Sequence, residues 1–490
     1  MDAVCVDATR LSRLHFGLAQ LGDARRSKRL VKTAELIFKS PFGSLPTKLP
    51  AWKDLMGLYR LLNAEQVTHQ AIIGPHCRWV REQMQQCDDV VLLVHDTTEL
   101  EFTSHKKVSR ELSQLGNGLG RGFLCHNTLA IKAGGEVIGL VSQILHLRRQ
   151  VPRGESSRQK KEHADRESLL WQRGCEQTAS SAGKLHVDVC DRGADSFEFL
   201  EYEHSHGRRY VIRSCRDRQL NNDDHDLGIE SDQHLGSDYH LGSDRIHQKL
   251  HGFARDLPRQ FTREVQVAAS TTKGTKARLA TVAIGYSPLI LQAPAQPRGH
   301  CQLQSIATWV IHVQEIHPPA EAQGLEWVLL SNLPIENNDQ AAQRVDWYSR
   351  RPMIEDFHKG QKTGLGIELP QFESKAKLEP MIGLLSVIAA VLLQLRSIAR
   401  SEESQHIPAK QMMPDLWVKI VAASAYRFKA KPSRDWQDLS INEFFIGIAK
   451  LGGFLARKHD GSPGWQTLWR GWQKLHQLIN GAQMVIEKCV

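Results

Sequence analysis

Residues 348–362 read YSRRPMIEDFHKGQK and combine a proline with charged side chains at helical spacing. Glu355, Lys359 and Lys362 share one face of a helix, because their spacing follows the 3.6-residue period. A carboxylate beside two lysines fits a site in which the acid holds a cation and the lysines hold phosphate. The alternative is a solvated helix in which glutamate and lysine support each other.

Pro352 decides where this helix begins. A proline inside a helix costs about 3 kcal/mol, but the first helical position tolerates it. We therefore expect one helix to start near Pro352 and another to cover about residues 340–349. Tyr348 and Arg351 then lie where the two helices meet.

Composition excludes several classes of protein. The 490 residues carry a formal net charge of +9, which favours a polyanionic partner, and this length predicts several domains. Nine cysteines without a C-x-x-C pair fit a reducing cytoplasm and exclude a zinc ribbon. The first residues lack the pattern of a signal peptide. The apolar run 381–395 is shorter than the roughly 20 residues that span a bilayer, so we predict a buried helix and no membrane partner.

Residues 1–75 predict a helical N-terminal domain. Asp23 is a suitable helix cap, and the cations that follow it, Arg25, Arg26 and Arg29 among them, lie opposite an apolar stripe. A basic amphipathic helix is commonly a solvated surface. Because the same chain carries a candidate nuclease site, we favour contact of these arginines with DNA.

Two short apolar strands are each followed by an aspartate. Residues 90–94 (VVLLV) precede Asp96, and residues 186–190 (HVDVC) precede Asp191. A sheet fixes side chains at its strand ends and leaves them open to substrate, so both aspartates are candidate catalytic groups. The alternative for Asp96 is a turn cap.

Further strands complete a mixed sheet flanked by helices. Residues 122–147 predict an antiparallel pair around a turn at 133–135, and residues 208–213 predict a strand that ends at Arg213. Residues 221–330 predict a β-rich insertion. Its first part, 221–244, contains the sequence HLGSD twice, which suits a low-complexity loop better than a metal site.

The C-terminal part, 379–490, predicts a helical domain rich in tryptophan. In the predicted helix 465–479, helical spacing places Leu468, Trp472, Leu475 and Ile479 on one face. This face suits either an interface between two copies of the chain or the core of the domain itself.

Asp96, Asp191 and Glu355 are distant in sequence, so only the fold can unite them. Carboxylate oxygens are the ligands that Mg²⁺ prefers, and three carboxylates can hold two ions. Two such ions activate a water or a 3′-hydroxyl and stabilise the leaving oxygen in phosphodiester exchange. The sequence therefore predicts Mg²⁺, with Mn²⁺ as a possible substitute, as the cofactor of a DNA-processing site.

The chain resembles the DDE transposases of the bacterial insertion-sequence-four family, and within it the transposase of transposon Tn-five. The similarity extends over nearly the whole length, and its most specific part is the Y-R-E-K spacing of Tyr348, Arg351, Glu355 and Lys362. It also includes these motifs: LGDARR at 21–26, DTT at 96–98, CDR at 190–192, LLQLR at 392–396 and AKLGGF at 449–454.

The resemblance implies a fold, a site and partners. It implies an RNase H-like catalytic domain over 76–378, an N-terminal domain that binds the inverted repeats of the transposon ends, and dimerisation through 379–490. It implies cleavage through a DNA hairpin, joining of the 3′-hydroxyl ends to target DNA, and a homodimer that pairs two ends in the bacterial cytoplasm. The implied metal triad is Asp96, Asp191 and Glu355, and the implied DNA contacts are Arg213, Trp327 (stacking on a flipped base), Tyr348, Arg351, Lys359 and Lys362.

One departure and two alternatives stay open. The family commonly has a second tryptophan where this chain has Pro352, so Met353 or another side chain supports the extruded strand, or hairpin handling differs. An RNase H-fold structure-specific endonuclease would use the same triad. An inactive DNA-binding inhibitor of transposition would keep the basic helix without needing the carboxylates.

Overall fold

The computed structural model describes residues 7–116, 118–152, 154–178, 183–221, 249–267, 278–295, 301–319, 324–425, 435–457 and 460–488. The low-complexity segment predicted at 221–244 lies outside these ranges, apart from its first residue.

The described chain is a mixed α/β structure in which one ten-stranded sheet lies between helical termini. The predicted antiparallel pair around residues 133–135 is confirmed. The strands are β1 (Val91–Glu101), β2 (Ser113–Gln114), β3 (Arg121–Lys132), β4 (Val137–His146), β5 (His186–Cys190), β6 (Arg209–Arg213), β7 (Phe261–Val267), β8 (Arg278–Gln292), β9 (Ser305–Glu315) and β10 (Glu326–Ser331).

The sheet has a parallel centre and antiparallel flanks. β1 pairs in parallel with β5, and β5 pairs in parallel with β6. On one side β1 pairs antiparallel with β3, which pairs antiparallel with β4. On the other side β10, β9, β8 and β7 continue the sheet from β6, all antiparallel. The strands of the predicted insertion therefore extend the central sheet instead of forming a separate one.

Helices surround the sheet at both ends of the chain. The helical character predicted for the N-terminal residues and the helix start at Pro352 are confirmed. The helices are α1 (Ala8–Phe16), α2 (Ala24–Lys39), α3 (Leu45–Lys48), α4 (Trp52–Leu62), α5 (His69–Gln86), α6 (Ser157–Glu162), α7 (Leu170–Glu176), α8 (Phe197–Ser205), α9 (Leu250–Asp256), α10 (Asn338–Ser349), α11 (Pro352–Lys359), α12 (Lys375–Arg400), α13 (Asp415–Ala425), α14 (Ile441–Leu451) and α15 (Trp465–Lys488).

The long helix α12 forms the centre of the hydrophobic core. It packs against α5 and β4, and nearly every residue from Leu378 to Leu395 is buried. It is the one described helix long and apolar enough to span a membrane, but 83% of its apolar window is buried inside the protein. The prediction of a buried helix at 381–395 is confirmed.

The tryptophans of α15 build a local core. Leu468, Trp472, Leu475 and Ile479 are all at most 4% exposed, so the face considered for an interface is occupied within the chain. Trp472 also donates its indole N–H to the Phe38 carbonyl of α2 at 3.0 Å. These four side chains therefore belong to the core of the domain and not to an interface between two copies of the chain.

Trp465, the first residue of α15, lies against the chain just after α11. Residues Gly360–Gly364 form a π-helical turn there, and a Cβ added at Gly360 or at Gly364 would overlap the Trp465 ring. Arg396 of α12 lies over the same ring, 5.8 Å from its centroid. We call this contact the glycine seat of Trp465.

Candidate active site

Two neighbouring parallel strands bring Asp96 and Asp191 to the same edge of the sheet. His95 pairs with Cys190 in the β1–β5 ladder, so the next residue on each strand is an aspartate. β5 ends at that point, but β1 continues to Glu101 in its pairing with β3. The expectation that Asp96 lies where its strand leaves the sheet is therefore wrong in this detail.

Arg351 connects the two aspartates to Glu355 of α11. Its Nη2 lies 2.8 Å from Asp96 Oδ2 and 3.5 Å from Asp191 Oδ2. Its Nη1 lies 2.5 Å from Glu355 Oε1. The structure thus brings the three carboxylates together around one guanidinium group.

The aspartates are held by backbone donors on their other oxygens. Thr97 N–H donates to Asp96 Oδ1 at 2.8 Å, and Gly193 N–H donates to Asp191 Oδ1 at 2.8 Å. Burial raises the pKa of Asp96 to about 6; Arg351 opposes this rise, and the charges of Asp191 and Glu355 add to it. Like charges held this closely with one compensating cation favour the binding of a further cation.

The raised pKa of Asp96 predicts a stability cost at neutral pH. An aspartate that titrates near 3.9 when unfolded and near 6 when folded is protonated preferentially in the fold. The stability this proton confers is present below about pH 4 and is lost as the pH rises through about 6. In urea titrations at pH 8, with EDTA and without DNA, the free energy of unfolding of Asp96→Asn should therefore exceed that of the wild type by roughly 1–3 kcal/mol. An equal or lower free energy of unfolding for the variant at pH 8 would contradict the assigned environment.

The lysines that follow Glu355 differ in exposure. The Lys359 side chain is 66% exposed and lies 3.9 Å from Asp356 Oδ1. Lys362 belongs to the π-helical turn after α11, is half as exposed, and lies 3.8 Å from Glu368 Oε1. Both side chains are at least partly accessible to solvent, as a phosphate contact requires.

Arg213, Trp327 and Tyr348 form a second cluster beside the carboxylates. The Trp327 and Tyr348 rings meet edge to face, with centroids 5.0 Å apart. Arg213 donates from Nη2 to the Glu326 carbonyl at 2.9 Å. Burial raises the pKa of the Tyr348 hydroxyl, whereas Arg213 and Arg351 lower it. Three residues predicted from distant parts of the sequence are therefore neighbours.

The three arginines of α2 have different surroundings. Arg25 is 90% exposed and pairs with Asp23, the helix cap. Arg26 donates to the Leu21 carbonyl at 2.9 Å and to the Gln66 side chain at 2.8 Å. Arg29 pairs with the largely buried Asp54 of α4 at 2.9 Å. Arg25 alone of the three combines high exposure with a partner on its own helix cap.

These surroundings predict separable effects of two alanine substitutions. Arg25→Ala should weaken binding to DNA and lower the slope of log Kd against log salt by about 1, without changing the melting temperature. Arg29→Ala should destabilise the protein by about 1 kcal/mol, because Asp54 loses its partner. Salt titrations of binding and thermal melts of both variants check this. An unchanged salt slope for Arg25→Ala would return the residue to a solvated surface.

A buried polar group behind the carboxylates was missed by sequence analysis. Asp188 accepts from His95 Nε2 at 2.8 Å and from Arg208 Nε and Nη2 at 2.9 Å each. Cys175 lies near enough to His95 and Asp188 for the three to share a metal ion. The hydrogen bonds to Asp188 instead indicate a lock between β1 and β5. The signal was a charged residue inside the apolar strand HVDVC.

Comparison with known proteins identifies both ends of the chain. Residues 11–67 match the family model described as transposase DNA-binding. Residues 407–488 match the model described as the transposase Tn5 dimerisation domain. Among solved structures, a piggyBac transposase synaptic complex with hairpin DNA, determined by cryo-EM, aligns with 93% of this chain and 87% of that chain. The identity is 8% and the TM-score 0.36. The transposase DNA-binding match at one end and the Tn5 dimerisation match at the other support a Tn5-like transposase, in agreement with the resemblance seen in the sequence.

Proposed function

We propose that this transposase binds the inverted repeats at transposon ends, cleaves them with Mg²⁺-dependent chemistry and joins the 3′-hydroxyl ends to target DNA. The observation that carries the proposal is the meeting of Asp96, Asp191 and Glu355 at Arg351. Two of these carboxylates come from adjacent parallel strands and the third from a helix.

The strand order supports an RNase H-like catalytic fold. The consecutive strands β4, β3 and β1 are antiparallel neighbours, and β5 and β6 follow β1 in parallel. In this arrangement the central strand β1 and its parallel neighbour β5 each present an acidic residue at one edge. The proposed catalytic domain covers about 76–378, between an end-binding domain at 1–75 and a dimerisation domain at 379–490.

The carboxylate cluster fits divalent metal. Asp96, Asp191 and Glu355 would hold it, because they offer hard oxygen ligands that share one close cation, the Arg351 side chain. When bound, Mg²⁺ or Mn²⁺ would supply an activated nucleophile and a stabilised leaving oxygen. The protein itself fixes the aspartates through Thr97 N–H and Gly193 N–H.

The neighbouring side chains suit the handling of a phosphodiester. Lys359 and Lys362 supply positive charge next to Glu355, and Arg351 would exchange carboxylates for phosphate when DNA arrives. We further propose a hairpin intermediate in which Trp327, packed against Tyr348, stacks on an extruded base. Pro352 stands where the family commonly has a second tryptophan, and Met353 beside it, partly buried against the core, would support the extruded strand instead.

A homodimer would pair the two transposon ends. The described part of α15 ends in a stripe formed by Leu478, Gly481, Ala482 and Val485, which share one face by helical spacing. Ala482 is half-buried, and the other three residues are exposed. Small residues at the centre of the stripe allow a second helix to approach closely. We propose that this stripe, defined by these four residues, is the dimer contact, and that the protein acts on DNA in the bacterial cytoplasm.

An excision assay tests the function. A supercoiled plasmid carrying a marker between two inverted repeats from the edges of the element should release that marker only with Mg²⁺ or Mn²⁺ present. A structure-specific endonuclease would nick the plasmid without needing two ends. An inactive inhibitor would bind the ends and cut neither strand. Release of the marker by an Asp96→Asn variant would overturn the proposed chemistry.

A further inference from the structure

A chain of buried polar side chains connects helix α5 to the catalytic edge of the sheet. His69 Nε2 lies 2.9 Å from Gln143 Oε1, and Gln143 Nε2 donates to Asn127 Oδ1 at 2.7 Å. Asn127 Nδ2 then lies 3.1 Å from His358 Nε2. Asn127 and Gln143 are completely buried. Burial of so many polar groups is costly unless each is paired, so the pairing indicates a defined role.

A backbone carbonyl fixes the direction of every hydrogen bond in this series of side chains. Asn127 Nδ2 lies 3.3 Å from the carbonyl oxygen of Cys125, which can only accept, so this atom of Asn127 must be the amide nitrogen. Asn127 Oδ1 therefore accepts from Gln143, whose own oxygen is left to accept from His69. His358 Nε2 faces the N–H donor of Asn127, so it must be the unprotonated nitrogen.

This assignment leaves the single ring proton of His358 on Nδ1. That atom faces the catalytic site, 3.9 Å from Asp96 Oδ2. Asp96 and Asn127 are also direct partners in the β1–β3 ladder, so the carboxylate and the amide that holds the His358 ring belong to the same strand pair. The distance is long for a hydrogen bond in the DNA-free protein, in which Arg351 occupies Asp96 Oδ2, and such contacts commonly shorten once substrate binds.

We propose that His358 is a positioning residue. Once Arg351 has moved to DNA phosphate, the His358 Nδ1–H group donates a hydrogen bond to Asp96 and orients this carboxylate. Asn127, Gln143 and His69 hold the ring in the tautomer that this requires. The expected effect on catalysis rests on the proposed function, whereas the assigned tautomer of His358 does not depend on it. It makes the packing of α5 against the sheet part of the support of the active site.

The tautomer can be measured without any reaction. In ¹⁵N-histidine-labelled protein free of DNA and metal, the His358 resonances, assigned by their loss in His358→Gln, should show a protonated Nδ1 and an unprotonated Nε2. The opposite tautomer, or a doubly protonated ring at pH 7.5, would overturn the proposal. This outcome is independent of whether the protein proves to be a transposase.

Two substitutions test the catalytic effect. His358→Asn can place an amide N–H near the position of Nδ1, whereas His358→Gln reaches Asn127 but offers no donor to Asp96. We expect the glutamine variant to nick transposon ends about 10–100-fold more slowly and to need more Mg²⁺, with the asparagine variant substantially restored. End binding should equal that of the wild type in both. Equal nicking rates and equal Mg²⁺ dependence in the two variants would overturn the role, whereas inactivity of the wild type itself would count against the proposed function alone.

Discussion

Replacing Asp96 by asparagine should reduce cleavage of transposon ends at least about 1000-fold while leaving end binding near the wild-type level. Loss of a carboxylate from the cluster removes several kcal/mol of stabilisation of the reacting phosphate, and each 1.4 kcal/mol corresponds to a factor of ten in rate. The asparagine side chain still accepts the Thr97 N–H bond through its oxygen, so the strand edge should keep its shape. Single-turnover nicking of a labelled end and a gel-shift titration measure the two quantities.

Asp89→Asn is the matched control for this substitution. Asp89 lies just before the first residue of β1, whereas Asp96 lies inside that strand, and the exposed Asp89 carboxylate accepts from Val90 N–H at 2.7 Å. The chemical change is the same, so the control should cleave like the wild type. Cleavage by Asp96→Asn within about tenfold of the control would exclude Asp96 as a metal ligand.

Charges placed on the stripe of α15 should prevent the pairing of two transposon ends. In Ala482→Asp with Val485→Asp, each copy would bring unpaired carboxylates into a helix contact. Desolvating them costs several kcal/mol, so association should weaken at least about 100-fold. Complexes with one DNA end should persist, whereas paired-end complexes and double-strand excision should be lost. Native gels with labelled ends of two lengths distinguish these species.

Asn480→Asp controls for added charge on the same helix. Asn480 is exposed but lies on the opposite side of α15 from Leu478, so this variant should still pair ends. Point substitutions are preferable to a truncation after Lys377, because such a truncation would remove α12, the centre of the core. Paired-end complexes formed by the double variant at wild-type concentrations would place the dimer contact elsewhere.

Much of the candidate active site could be predicted from local patterns. The runs VVLLV and HVDVC announce buried strands, and the aspartates that follow them belong to this site because a parallel ladder brings equivalent positions together. Pro352 marked the start of α11 through its own backbone chemistry. In each case a short stretch carried the whole signal.

Other features depend on contacts between distant residues and could not be predicted. Nothing local to Arg351 shows that its guanidinium meets three carboxylates, since two of them come from other elements. Asn127 and Gln143 lie in apolar strands, where their mutual hydrogen bond appears only once the β3–β4 register is known. The tryptophans of α15 could face a partner or the core, and only the position of α2 and α14 decides for the core.

The glycine seat of Trp465 connects the first residue of α15 to the turn that follows α11. The α15 helix has 24 residues and is therefore about 36 Å long, with the indole at one end and the stripe toward the other. The ring rests on the turn that carries Lys362, and side chains larger than hydrogen at Gly360 and Gly364 would push it out. A tilt of α15 imposed at its far end must therefore either carry this turn along or lift the ring from it. If the proposed dimer contact and the proposed phosphate contact of Lys362 are correct, α15 couples the two mechanically.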